Sequence, residues 1–202
     1  EMKVLGITGG VGAGKSTVLG YLSEHYGARV IEADRVAHLL QEPGGDCYNA
    51  IVESFGRGIL YPDGRINREM LGKIVYAEKE KLSILNQIVH PVVKAYIIKA
   101  IAQERKSGAV PFVAIEAALL LEDGYDRICD EIWYIFADEE TRSKRLQSSR
   151  GYSTEKIRSV MANQRGEEGY RKECKLVIDN SGDFVENTYE QIDKGLREHG
   201  FL

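Results

Sequence analysis

Apolar and polar positions follow two different periods along the 202-residue chain. Val4 to Thr8 is a short β-favouring run broken by Gly9-Gly10. From Lys15 the spacing of Val18, Leu19 and Leu22 turns helical, up to Gly27. Ala28-Arg29-Val30-Ile31 predicts a second strand that ends at Glu32-Ala33-Asp34, with a helix over Arg35 to Gln41 after it. Elements this closely spaced favour a β-α-β unit and hence parallel strands. From Glu42-Pro43-Gly44-Gly45 to about Lys106 the pattern reads as helices joined by loops. It has a turn at Tyr61-Pro62-Asp63-Gly64, an N-cap at Asn67, and a kink or division at Pro91 within the helical stretch Glu78 to Lys106. Buried strands are then expected at Pro111 to Glu116, Glu131 to Phe136 and Leu176 to Ile178. Helices are expected over Asp138 to Ser148, Thr154 to Gln164 and Asp183 to Glu198.

The first break in this pattern carries the clearest chemistry. Gly9-Gly10-Val11-Gly12-Ala13-Gly14-Lys15-Ser16 satisfies G-x-x-x-x-G-K-[ST], between a strand and a helix as that motif requires. Its glycines allow backbone N–H groups to turn toward phosphate oxygens, and the positive end of the following helix adds to the attraction. Candidate nucleotide contacts are therefore Gly10, Gly12, Ala13, Gly14, Lys15, Ser16 and Thr17. Lys15 is expected on the β- and γ-phosphates, the Ser16 hydroxyl on Mg²⁺ and Thr17 near the α-phosphate. The bland alternative is a Gly-rich turn without a ligand, and the complete strand-loop-helix context weighs against it.

Other candidates divide between functional and structural roles. Asp34, read at the end of the second strand, either faces the γ-phosphate or caps the following helix. Glu116 ends the apolar run Phe112-Val113-Ala114-Ile115, as the metal-supporting acid of such folds does, or is a plain strand-end carboxylate. Arg142, Lys144, Arg145 and Arg150, with Arg158 and Arg165 beyond, are either solvated helix charges or a lid that brings positive charge to a triphosphate. His90 lies among Ile and Val at helical spacing, where a packed or hydrogen-bonded histidine is the ordinary reading.

Composition narrows the class. With 43% hydrophobic and 29% charged residues the chain suits one domain with an inserted subdomain, and a net charge of −4 does not suit a surface that grips nucleic acid. No uninterrupted apolar run approaches the roughly 18 residues of a membrane helix, no export signal is visible, and Glu1 before Met2 reads as a tag remnant. Cys47, Cys129 and Cys174 have no close Cys or His partner in sequence, which fits free thiols in a reducing cytoplasm. The reading at this point is a P-loop kinase passing the γ-phosphoryl group of ATP to a hydroxyl. A GTPase switch is the rival of another class. Asp179-Asn180-Ser181-Gly182 fits D-x-x-G, but it comes late and no N-K-x-D motif accompanies it.

The ordered set of motifs resembles the dephospho-CoA kinase family. The resemblance runs through Thr8 to Thr17, Ala33-Asp34-Arg35, Glu42-Pro43-Gly44, Val89-His90-Pro91, Leu119-Leu120-Leu121-Glu122, the arginines, Gln164, and Val177-Ile178-Asp179-Asn180-Ser181-Gly182. It implies an α/β fold of the P-loop NTPase type, a parallel sheet flanked by helices with a helical insertion and a lid. The nucleotide core would comprise 2–34 and 107–202, the lid about 138–165, and the acceptor-binding insertion 35–106. It also implies transfer from ATP with Mg²⁺ to the ribose 3′-hydroxyl of dephospho-CoA, another nucleoside or nucleotide kinase being the alternative. Partners would be small molecules rather than nucleic acid or membrane, the state a monomer or weak oligomer, and the location cytoplasmic. By resemblance Asp34 handles the acceptor hydroxyl and His90 and Leu119 line the acceptor site. Lys15 and Arg145 act on the transferring group, Arg145 and Arg150 are lid arginines on ATP, Asn180 approaches the adenine, and Ser16 and Glu116 serve the metal. The chain departs from the family's usual residues at Glu32, Ala118, Arg142, Gly151, Cys174 and Lys175.

Overall fold

The apolar runs assemble into a five-stranded sheet in the computed structural model, which describes residues 1–162 and 166–202. The strands are β1 (Lys3–Thr8), β2 (Arg29–Glu32), β3 (Phe112–Glu116), β4 (Glu131–Phe136) and β5 (Leu176–Asp179), in the spatial order β2-β3-β1-β4-β5. β1 pairs in parallel with β3 and β4, and β4 in parallel with β5. A strand enclosed on both sides and covered on both faces reads as continuous apolar sequence, and Val4, Leu5 and Ile7 of β1 are all fully buried. Because the order runs outward on both sides of β1, the loop leaving its carboxyl end lies at a topological switch point, where open α/β sheets bind ligands.

The helices are α1 (Lys15–Tyr26), α2 (Ala33–Leu40), α3 (Tyr48–Phe55), α4 (Arg68–Ala77), α5 (Lys79–Ser107), α6 (Glu139–Arg150), α7 (Thr154–Ala162), α8 (Glu167–Glu173) and α9 (Val185–Glu198). α1 stops because Gly27 takes the left-handed conformation (φ 69°) and its N–H, with that of Ala28, closes on the carbonyls of Ser23 and Leu22. α6 starts at Asp138, whose Oδ1 accepts the Thr141 N–H at 2.7 Å, and α4 starts at Asn67, whose Oδ1 accepts the Met70 N–H at 3.1 Å.

The chain forms two units, residues 1–31 with 104–202, and residues 32–103. Leu5, Ile7, Leu22, Phe112, Trp133 and Ile135 are at the centre of the first unit's core, with Ile192 and Leu196 of α9. The second has its own buried set, including Leu40, Ile51, Ile59, Leu71, Val93 and Ile97.

Three expectations are corrected. Ala33 and Asp34 belong to the first turn of α2 and not to the end of β2. Pro91 does not divide the helix, since α5 is one element of 29 residues. Pro91 is exposed, so the carbonyl that loses its donor four residues earlier lies toward water. α8 was not expected at all. It is short and polar, its buried Tyr170 stacks on Tyr134 with ring centroids 4.7 Å apart, and Arg171 lies 5.2 Å from the Phe136 ring. Gln164 and Arg165 lie outside the described residues. By length and hydropathy α5 is a helix that could span a membrane, yet its apolar stretch carries Lys94 and Lys99 and buries one stripe, Val89, Val93, Ile97, Ala100 and Ile101.

Candidate functional site

The loop from Gly9 to Gly14 needs backbone that other residues cannot supply. Gly14 has φ 86°, and a Cβ there would lie 2.3 Å from Asn180 Nδ2; a Cβ on Gly9 would lie 2.5 Å from the Ile135 carbonyl oxygen. The loop is thus packed against the neighbouring strand and the segment after β5 as tightly as its backbone allows.

Its carbonyls are gripped from outside. Arg142 Nε donates to Val11 O at 2.9 Å, Arg145 Nη1 to Gly12 O and Ala13 O at 3.2 Å each, and Asn180 Nδ2 to Ala13 O at 2.9 Å. In a trans peptide the C=O of one residue and the N–H of the next point opposite ways. Holding these oxygens outward therefore turns the N–H groups of Gly12 and Gly14 toward the other side of the loop. The Ala13 N–H closes on Gly10 O at 3.1 Å, which tightens the turn. The result is a concave rim of amide donors followed by the positive end of α1, an anion cradle.

Lys15 folds back over this rim. Its Nζ donates to Gly9 O at 2.7 Å and lies 3.6 Å from Glu116 Oε1, and the side chain is only 17% exposed. Ser16 and Thr17 are exposed in the first turn of α1. Lys15 and Ser16 at the start of α1 and Glu116 at the end of β3 thereby bring a cation, a hydroxyl and a carboxylate to the carboxyl end of the sheet.

A model of the dephospho-CoA kinase family matches residues 3–186. The chain belongs to the dephospho-CoA kinase family. A dephospho-CoA kinase of Symbiobacterium thermophilum is 38% identical over 97% of this chain and 81% of its own. Among solved structures, TT1252 from Thermus thermophilus is 26% identical and superposes with a TM-score of 0.84 over 98% of both chains. A dephospho-CoA kinase from Campylobacter jejuni shares the fold at 22% identity, TM-score 0.72, over 99% of this chain and 100% of its own. The five-stranded P-loop architecture is that of dephospho-CoA kinases.

Within this family frame the remaining candidates fall in different places. Arg145 sits in mid α6 with Nη2 on Asn180 O at 2.7 Å and Gly182 O at 3.3 Å, so its guanidinium joins the loop to the segment after β5. Arg150 is exposed at the end of α6, 6.0 Å from the Tyr152 ring. The Asn180 side chain is buried, and its Oδ1 accepts the Thr188 hydroxyl at 2.7 Å. Leu119 is 52% exposed on the turn after β3, above the fully buried Leu120.

Asp34 and His90 belong to the unit 32–103. Asp34 is exposed in the first turn of α2, and the N-cap position is Glu32, which makes no side-chain cap bond, so Asp34 is not the cap. One turn on, His38 is held below the usual histidine range by burial and by Arg68, against the opposing pull of Asp34 and Glu42. His90 is exposed on α5. Sequence reading missed the grip of Arg142 on Val11, because neither residue type nor spacing announces a partner 131 residues away, and it missed the Thr188 hydroxyl on Asn180, eight residues apart, because an α9 threonine gives no sign of which side chain it meets.

Proposed function

We propose that this chain transfers the γ-phosphoryl group of ATP to the ribose 3′-hydroxyl of dephospho-CoA, giving coenzyme A and ADP, the last step of coenzyme A synthesis. The observation that carries this reading is the amide cradle with Lys15 folded across it, in a chain whose family is dephospho-CoA kinase. ATP occupies the cradle. Lys15 exchanges the Gly9 carbonyl for the β- and γ-phosphate oxygens, a stronger, charge-assisted partner.

Mg²⁺ fits the donor set. Among the described residues no group of three or more His, Cys, Asp or Glu could hold a metal unaided. One hydroxyl, Ser16, and one carboxylate, Glu116, suit a cation that draws its other ligands from phosphate and water. When bound, it supplies positive charge against the phosphate oxygens.

Asp34 takes the proton of the 3′-hydroxyl as that oxygen bonds to the γ-phosphorus. The bond from the γ-phosphorus to the bridging oxygen breaks, and its electron pair leaves with ADP. Positioning and charge supply most of the rate. Arg145 acts by holding the loop, and Arg150 is the arginine with freedom to reach ATP. Residues 35–106 hold dephospho-CoA, with His90 and Leu119 at the acceptor. The segment that contains Asn180 approaches the adenine. Among the described residues no disulfide joins Cys47, Cys129 and Cys174, which suits a reducing cytoplasm.

The test is direct. The protein is incubated with Mg-ATP and dephospho-CoA, and the products are followed by mass. A gain of one phosphoryl group on dephospho-CoA is expected; no gain, or preferential transfer to a nucleoside in a panel of acceptors, overturns the substrate assignment.

A further inference from the structure

We infer that Thr188 is a positioning residue for the phosphate cradle, acting through the Asn180 side chain. This rests on the reading of residues 9–17 as a triphosphate site. Thr188 lies on the buried face of α9, at 2% exposure, in line with Ile192, Gly195 and Leu196. An apolar side chain would suit that stripe. The one polar group there instead donates its hydroxyl hydrogen to Asn180 Oδ1 at 2.7 Å. Asn180 is 6% exposed, and its Nδ2 donates to Ala13 O at 2.9 Å.

The chain of bonds has a fixed sense. Ala13 O can only accept, so the NH₂ end of the Asn180 amide must face the loop and its oxygen must face α9. At 2% exposure Thr188 shields that oxygen from water and supplies its hydrogen. The amide also sits directly against the loop backbone, since a Cβ on Gly14 would come within 2.3 Å of Asn180 Nδ2. The peptide that Asn180 holds joins Ala13 to Gly14, and it presents the Gly14 N–H on its opposite side. α9, anchored in the core by Ile192 and Leu196, thereby sets the orientation of one cradle donor although it contributes no atom to the cradle. Removing the Thr188 hydroxyl leaves Asn180 Oδ1 buried without its donor, and the amide relaxes by turning away from Ala13.

Thr188→Val keeps shape and removes the hydroxyl; Thr188→Ser keeps the hydroxyl. Mg-ATP affinity is measured by calorimetry well below each variant's melting temperature, together with the KM for ATP and for dephospho-CoA. Thr188→Val is expected to weaken ATP binding and raise its KM about tenfold, with the KM for dephospho-CoA unchanged, while Thr188→Ser stays within about twofold. Asn180→Leu is expected to lose as much, and the double variant no more than Asn180→Leu alone. A purely structural Thr188 would lower the melting temperature and leave the ATP affinity of the folded protein intact, and that result overturns the inference. Should Thr188→Val not fold, Thr188→Cys, a weak donor of similar size, is compared instead; unaltered ATP affinity there overturns it equally. If the unsubstituted protein binds no Mg-ATP, the triphosphate reading falls and this inference with it. Normal binding that Thr188→Val leaves untouched removes only the role given to Thr188.

Discussion

Lys15 Nζ donates to the carbonyl oxygen of Gly9 at 2.7 Å, so the cation that begins α1 closes back on the first residue after the preceding strand. Losing this bond costs the fold little, because backbone and the outer clamps of Arg142, Arg145 and Asn180 hold the loop independently. Lys15→Ala is therefore expected to melt within a few degrees of the parent and to lose turnover by about 10²-fold or more, the scale of removing a charged group from a developing phosphoryl charge. Thermal melting and turnover on one preparation check this, and near-normal turnover would remove residues 9–16 as the phosphate cradle.

Asp34→Asn separates a proton acceptor from a structural acid. The substitution keeps size and much of the hydrogen-bonding capacity, and the first turn of α2 does not depend on Asp34 as a cap. Turnover at saturating substrates should fall about 10²-fold or more, with ATP affinity and melting temperature retained. Unchanged turnover would send the search for the base to Glu32, Glu116 or His90.

Dephospho-CoA alone should slow hydrogen exchange in residues 35–106 and leave Arg142 to Ala162 unchanged, because the acceptor is assigned to the helical unit. Mass spectrometry of peptic fragments reads both regions at once. Protection confined to α6 and α7 would reverse the assignment of the two.

Tyr21 and Tyr26 both donate to the carboxylate of Asp193, tying α1 to α9. Burial first, and then the bond to Asp193, push the Tyr26 phenol up to about 12 and Tyr21 higher still. The unfolded chain loses these protons near about pH 10, while the folded chain keeps them. Their contribution to stability is thus complete below that pH and disappears as pH rises through the folded value of about 12. Denaturant melts across this range should lose stability with rising pH, and Tyr26→Phe should lose less of it. Spectrophotometric titration should find two late tyrosines; if all titrate at the ordinary value, the shared carboxylate has no such effect.

What the sequence determined by itself is what contiguous residues can encode. A P-loop is written in eight successive positions because its glycines, lysine and serine act through local backbone geometry, and the apolar runs around it specify buried parallel strands. The order of motifs was enough to point to the family, and the strands at β1, β3, β4 and β5 lie where periodicity places them. Local rules failed where a competing local effect was stronger or where a single long-range contact decided. The β2 run was extended into Ala33 and Asp34, which had already turned helical, and Pro91 was absorbed by an exposed stretch of α5. α8 meets β4 through Tyr170 on Tyr134 and Arg171 on Phe136, contacts made across the fold. Only the tertiary structure decided how the cradle is held. Arg142, Arg145 and Asn180 reach the loop across separations of 131, 133 and 167 residues, and Thr188 enters through Asn180. Such contacts form because the parallel sheet brings β4 and β5, with the helices that follow them, alongside β1. A hydrogen bond between residues so far apart leaves no periodicity in the chain, so the support that Arg145 and Asn180 give the loop has no signal in the sequence.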